Sequence, residues 1–272
     1  MPAFDPHPSR RPAAVTGASS GIGAAVATQL AERGHPVVLG ARRVERCEDL
    51  AATLRADGHE AAAVALDLTD TASIVGFAAG AEAAFGPVEV LVSNAGDVLP
   101  QRMIETDPAT FARQAHVNLL GAQALAHALV PGMVDRRRGD VVFVTSDVAR
   151  IPRPRMAAYV TSKHGLEGMA RAMQMEMEGT GVRVGIVRPG PCLTEQGSQW
   201  DPAIVDDVVA EWVRWGLIRH DGFLRAGDVA RAVTTMVGQP RGTHLTLIEV
   251  EPEAPVATTV VTPDSQERSD AP

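Results

Sequence analysis

Seven short apolar runs punctuate the chain: AAVTG, PVVLGA, AAVALDL, VEVLVSNAG, GDVVFVTS, VRVGIVRPG and HLTLIEV. They do not alternate apolar with polar residues, so each reads as a strand covered on both faces, the signature of a parallel sheet. Helix-length segments separate them, among them 23–33, 44–57, 110–134 and 158–180. This rhythm predicts an α/β fold, a Rossmann-type doubly wound parallel seven-stranded sheet with about six helices on its two faces. No internal repeat or linker divides it, so residues 12–252 are expected to form one domain. A flexible leader over 1–11 and a flexible Pro- and Ser-rich tail over 253–272 flank it.

One further segment, WDPAIVDDVVAEWVRW, holds all three tryptophans. Ile204, Val208, Trp212 and Trp215 recur at helical spacing, predicting a helix with that stripe inward and Asp206, Asp207, Glu211 and Arg214 outward. Such an aromatic stripe suits either a lid over an apolar pocket or packing on the core.

Composition narrows the function. The formal net charge of −8 leaves no cationic excess for phosphate backbones, and no Lys/Arg run with interleaved aromatics occurs, which argues against nucleic-acid binding. No uninterrupted apolar stretch of about eighteen residues suggests a membrane span. Cys47 and Cys192 form neither a CxxC pair nor a disulfide framework, which points to a reducing, cytoplasmic setting. The eight histidines form no HxH or HxxxH pair, so no metal is expected.

The chemistry begins where the first strand ends. In TGASSGIG, Gly17, Gly21 and Gly23 stand at a strand-to-helix turn, where backbone N–H groups and the helix dipole favour a pyrophosphate. After the second strand, where an acid would hold a ribose 2′-OH, stand Arg42 and Arg43. Two guanidiniums suit a 2′-phosphate, so NADP(H) is favoured over NAD(H). Asp67 ends the third strand as either an adenine acceptor or a turn residue. Asn94, in SNAG, can tie neighbouring backbone.

Ser146 ends the fifth strand, at the carboxyl edge where ligands of such sheets bind. Thirteen residues on lies the chain's single tyrosine, Tyr159, with Lys163 one helical turn later. An ammonium within about 4–6 Å favours phenolate, so the lysine is expected to lower the tyrosine's pKa toward neutrality. Asp147, beside the serine, either selects a polar substrate group or pairs with Arg150 or Arg153, the pairing being favoured.

Together TGASSGIG, NAG, Asn118, Ser146, YVTSK and RPG, in this order over about 12–252, resemble the short-chain dehydrogenase/reductase family. The resemblance implies that Tyr159 exchanges a proton with the substrate oxygen and that Ser146 hydrogen-bonds that oxygen. It implies that Lys163 holds the nicotinamide ribose and that Asn118 orders a water linking Lys163 to solvent. Cofactor contacts are implied for Gly17, Ser19, Ser20, Gly21, Ile22 and Gly23, for Arg42, Arg43, Asp67 and Leu68, and for Asn94, Ala95 and Gly96. Tyr159, Lys163, Pro189, Gly190 and Thr194 complete that set. Asp147 and Arg150 depart from the family's usual small residue and glycine. The expected activity is hydride transfer between NADP(H) and an apolar secondary alcohol or ketone, cyclic, terpenoid- or steroid-like. A 3-oxoacyl-thioester reductase and a non-catalytic nucleotide-binding scaffold are the alternatives. Helices 110–134 and 158–180, apolar on more than one face, suggest a homo-oligomer, a tetramer or dimer.

Overall fold

The structure, a computed structural model, describes residues 5–195, 200–217, 220, 222–254 and 256. All seven apolar runs form strands: β1 (Ala13–Thr16), β2 (Val37–Ala41), β3 (Ala61–Ala65), β4 (Val90–Ser93), β5 (Gly139–Val144), β6 (Val182–Pro189) and, at the far edge, β9 (Leu247–Val250). Between the last two, β7 (Cys192–Leu193) pairs with β8 (Leu224–Arg225), a small parallel ladder that the apolar pattern does not announce. The main sheet is parallel in the order β3-β2-β1-β4-β5-β6-β9. Strands β1, β2, β4 and β5 are buried along their whole length, whereas β3 and β9, at the edges, are half-covered. The strand order reverses between β1 and β4, which opens a crevice at their carboxyl ends.

Helices α1 (Gly21–Glu32) and α2 (Val44–Ala56) lie with α8 (Ala226–Val237) on one face, around Leu30, Leu39, Leu54 and Val233. Helices α3 (Thr71–Phe85), α5 (Gly121–Asp135) and α6 (Ala157–Glu176) cover the other, around Phe77, Leu125, Phe143 and Leu166. Helix α4 (Pro108–Ala115) runs into α5 through a π-helical turn, His116–Leu120, so that 108–135 is continuous. Asp107 caps it, accepting from Ala109 N and Thr110 N, with Pro108 at the first turn. By length and composition this helix could cross a membrane, its mean hydropathy reaching 1.4 over eighteen residues. Here Leu125, Leu129 and Met133 turn that apolar side onto the sheet. Helix α7 (Pro202–Arg214) packs by Val208 and meets the segment after β5, where Trp212 donates to Pro154 O.

The opposite, amino-terminal edge of the sheet carries a polar floor. Arg11, just before β1, pairs with Asp140 at the start of β5, and Arg183 at the start of β6 holds the same carboxylate at 2.6 Å. Glu89, before β4, accepts from Arg138 at 2.8 Å. His7 lies against Gln239 O and Arg183 and is pushed down to about 4 by burial and the nearby Arg11. Within the segment 1–11, Arg11 is buried, and its pair with Asp140 meets the need of a buried charge for a partner. Most of the tail assigned to 253–272 lies outside the described residues.

Candidate active site

The first crossover builds a turn whose glycines are demanded by close packing. A Cβ on Gly23 would stand 2.3 Å from Gly17 O, and one on Gly17 would stand 2.8 Å from Ala95 Cα. Asn94 closes the contact: its Nδ2 donates to Thr16 O at 3.0 Å, while the Asn94 and Ala95 N–H groups both donate to Thr16 Oγ1. Thr16, which opens the TGASSGIG motif but is given no role by the sequence, is thus a tie between β1 and β4. Gly21 takes a φ of +55° at the start of α1, and a Cβ there would stand 3.4 Å from the methyl of Thr194. Ser20 makes no side-chain cap and the first turn holds no acid, so the N–H groups of this helix end keep their affinity for an anion. Ile22 is partly buried against the neighbouring core.

Arg43 crosses to the turn, its guanidinium donating to Ser19 Oγ at 3.1 Å and Ser20 Oγ at 3.0 Å. It also pairs with Glu195 at 3.2 Å, and Arg46 joins the same carboxylate at 2.8 Å. Of the neighbouring cations Arg43 reaches the turn itself, Arg46 joins it only through Glu195, and Arg42 is exposed and borders Asp67. Asp67 accepts from the N–H and hydroxyl of Thr69, which hold its carboxyl below the usual range. It is a turn residue through that oxygen. Leu68 is a core side chain, and Gly121 packs against its carbonyl. The site accordingly offers a dinucleotide a glycine cradle, a free helix end and two guanidiniums.

The predicted tetrad meets at the mouth of β5. Ser146 leaves the strand and heads a short turn, Asp147–Ala149. Tyr159, on α6, hydrogen-bonds Ser146 and is pushed up to about 12 by burial, with Asp147 adding to the rise and the Ser146 bond and Arg153 opposing it. Lys163 Nζ lies 5.7 Å from the tyrosine ring centroid and donates to Val144 O at 2.9 Å. Burial pushes it down to about 8. Burial, with Asp147, thus moves the phenol upward, and the ammonium 5.7 Å from its ring is not among the groups that move it.

Asn118 sits in the π turn, a wide turn that recurs at functional sites. Its Nδ2 donates to Asp97 O at 2.8 Å and Ser162 Oγ at 2.9 Å, while its Oδ1 accepts from Asp97 N at 2.7 Å. Both amide donors are spent on holding the loop after β4 and helix α6 together, so in this geometry Asn118 is a latch. Ser162 is the partner that sequence reasoning passed over, although it stands inside YVTSK. Gly96 lies beneath both groups: a Cβ there would stand 3.3 Å from Asn118 Oδ1 and 3.8 Å from Lys163 Nζ.

The serine is also held from behind. Ser146 Oγ donates to Asp147 Oδ1 at 3.0 Å, and Asp147 Oδ2 pairs with Arg153. The Arg153 guanidinium lies 4.8 Å from the centroid of the Trp212 ring of α7, and Trp212 Nε1 donates to Pro154 O at 3.3 Å. Arg155 and Arg102 both pair with Glu211, so this acid, expected outside, faces the loop. Val208 is buried, whereas Trp215, expected in the inward stripe, is 65% exposed under Arg214. At the far end Arg188, inside RPG, is clamped by Glu167 and Glu249, and Gly190 N donates to Val250 O at 2.8 Å. A Cβ on Gly190 would stand 2.3 Å from Glu251 Oε2, so Pro189 and Gly190 are fixed by the strand beside them.

The chain is similar to known proteins over most of its length. Residues 11–204 match the family model described as short chain dehydrogenase. The chain is 35% identical over 245 residues to a glycine betaine reductase of Emericella nidulans; this is 90% of the chain but only 19% of that much longer relative. It is 31% identical over 240 residues to the 2,3-dihydro-2,3-dihydroxybenzoate dehydrogenase of Bacillus subtilis, covering 86% of the chain and 90% of the relative. The crystal structure of an alcohol dehydrogenase from Thermococcus sibiricus, complexed with 5-hydroxy-NADP, superposes with a TM-score of 0.77 at 29% identity, covering 89% of this chain and 96% of that one.

Proposed function

Because the chain belongs to the short-chain dehydrogenase family, whose members use a nicotinamide cofactor, we propose that it reduces an apolar ketone, or oxidises the matching secondary alcohol, with NADP(H). The observation that carries this reading is the meeting of Ser146, Tyr159 and Lys163 at the mouth of β5, with the phenol held protonated. The cofactor would rest on the Gly17–Gly23 turn and the start of α1, with Arg43 and Arg46 toward a 2′-phosphate and Lys163 toward the nicotinamide ribose. Bound there, it supplies or takes the hydride. Tyr159 gives its proton to the carbonyl oxygen as that oxygen gains charge, and Ser146 orients the oxygen. The buried ammonium of Lys163 offsets the phenolate left behind. Trp212 and Val208 of α7 give the substrate side an apolar, aromatic cover, which favours cyclic, terpenoid- or steroid-like carbonyl compounds. A 3-oxoacyl-thioester reductase is the second reading, since nothing in the tetrad discriminates between the two. The enzyme is read as a cytoplasmic homo-oligomer.

The test is NADPH oxidation across a panel of cyclic ketones and a 3-oxoacyl thioester, with Tyr159→Phe in parallel. The variant is expected to lose about 10²–10⁴ in kcat while NADPH binding, followed by nucleotide fluorescence, is retained. Near-wild-type turnover by Tyr159→Phe sinks the mechanism. In the same assay NADPH should exceed NADH in kcat/KM, and replacing Arg43 and Arg46 together with glutamine should narrow the gap; equal use of both nucleotides by the native chain refutes the cofactor assignment.

A further inference from the structure

A carboxylate of the chain itself lies between the two arginines that face the glycine turn. Strand β7 ends at Leu193, and its ladder with Leu224–Arg225 fixes where the next two residues go. Thr194 borders the turn, since a Cβ on Gly21 would stand 3.4 Å from its methyl. Glu195, one residue on, reaches the start of α2. Arg43 Nη1 donates to its Oε2 at 3.2 Å, and Arg46 Nη1 donates to the same oxygen at 2.8 Å and to Oε1 at 3.1 Å. Arg43 Nη2 meanwhile donates to Ser19 Oγ at 3.1 Å and Ser20 Oγ at 3.0 Å.

This is a donor set suited to a phosphate. Guanidiniums bind phosphate oxygens in pairs, and a serine hydroxyl that accepts from Arg43 keeps its own proton to give. The oxygens of Glu195 thus stand in for those of a phosphate ester. Hydrogen bonds from Arg43, then Arg46, hold the Glu195 carboxyl below the usual range, so it is charged at neutral pH. A phosphate ester carries about −1.5 to −2 at that pH, and like charges in one cradle repel, so the two anions exclude each other. The carboxylate is the weaker holder. Its side chain is 47% exposed and those of Arg43 and Arg46 are 38% and 45% exposed, and ion pairs so open to water contribute little. A nucleotide that ends in a ribose 2′-OH brings no second charge and leaves Glu195 in place.

We propose that Glu195 is a built-in competitor for the 2′-phosphate of the cofactor: its carboxylate holds the anion position between Arg43 and Arg46, NADP(H) enters by displacing it, and NAD(H) enters without doing so. Glu195 is then a specificity-determining residue that acts against the arginines, narrowing the preference they create. The proposal rests on NADP(H) being the cofactor, and it is tested by binding alone, with no hydride transfer.

The probes are adenosine 2′,5′-bisphosphate and 5′-AMP, which differ only in the 2′-phosphate, titrated calorimetrically into the full chain. Glu195→Gln keeps the length and an acceptor and removes the charge; circular dichroism confirms its fold. It is expected to bind the bisphosphate about three- to tenfold more tightly than the native chain, as two exposed ion pairs need no longer be broken, and 5′-AMP with affinity unchanged. In an Arg46→Gln background the gain should shrink, because one of the two pairs is already gone. Equal affinity of the native chain and Glu195→Gln for the bisphosphate overturns the proposal, as does an undiminished gain without Arg46. Equal tightening for 5′-AMP also overturns it, since Glu195 would then obstruct the nucleotide as a whole. If neither protein binds either probe, the cofactor assignment fails and the proposal with it; if both proteins bind both probes alike, the proposal fails and the assignment stands.

Discussion

At the scale of single residues, the site keeps a lysine where water would serve it better. Lys163 is nearly out of contact with solvent and is pushed from 10.5 down to about 8 by burial, with Val144 O as its hydrogen-bond partner. The sign of the consequence follows from linkage: between these two values the unfolded chain binds a proton that the native chain has shed, so stability rises with pH across the window. Against Lys163→Met, whose side chain does not titrate, the native chain should gain about 3 kcal/mol as pH goes from about 8 to 10.5. Urea unfolding of both at the two ends of the window checks this, and a difference that stays flat with pH contradicts the buried ammonium. The residue types of the tetrad were legible in the sequence, because Tyr159 and Lys163 share a helix face at i and i+4 and Ser146 ends a strand. The direction in which burial moves them was not, since spacing reports proximity and says nothing of desolvation. The pairing of Asp147 with Arg153 was among the options the sequence allowed, but its grip on the serine hydroxyl depends on a backbone turn that no pattern encodes.

At the scale of elements, the seven strands could be read because apolar runs without alternation leave few other fates. The glycine turn could be read because a βα crossover with that spacing needs backbone on backbone, as the contact of Gly23 with Gly17 shows. What escaped were contacts made between elements distant in sequence: Thr16 with the loop after β4, Arg46 with Glu195, Asn118 with Ser162. Helix α7 is the instructive case, since its periodicity put Trp212 and Trp215 on one stripe. The helix ends at Arg214, so Trp215 falls off the register and is left exposed, while Trp212 stacks on Arg153. The two tryptophans should therefore separate in kinetics. Trp212→Leu, which removes the ring stacked on Arg153, is expected to raise KM for a bulky apolar ketone severalfold, and Trp215→Leu, beyond the helix end and exposed, to leave it unchanged. Initial rates and tryptophan emission on adding the ketone measure this; equal effects from both substitutions remove the case for α7 as a cover.

At the scale of the whole molecule, helices 108–135 and α6 turn one side to the sheet and the other outward, where Leu120 is 49% and Met175 79% exposed. Exposed apolar side chains on neighbouring helices are what a second copy would cover, and static light scattering at micromolar concentration is expected to give a dimer or tetramer mass. A monomer mass contradicts it. The sheet also has two unlike ends. Its amino-terminal edge carries the floor of Arg11, Glu89, Asp140 and Arg183, its carboxyl edge the tetrad, and from Asp140 to Ser146 the chain climbs about 20 Å at 3.3 Å per residue. None of the groups that move Tyr159 or Lys163 belongs to the floor. The charges below are taken up by their own partners, and the two ends stand well apart. The sheet thus acts as a spacer between an anchoring end and the proposed reacting end: charges on the floor can be redrawn while every group that moves Tyr159 or Lys163 keeps its place.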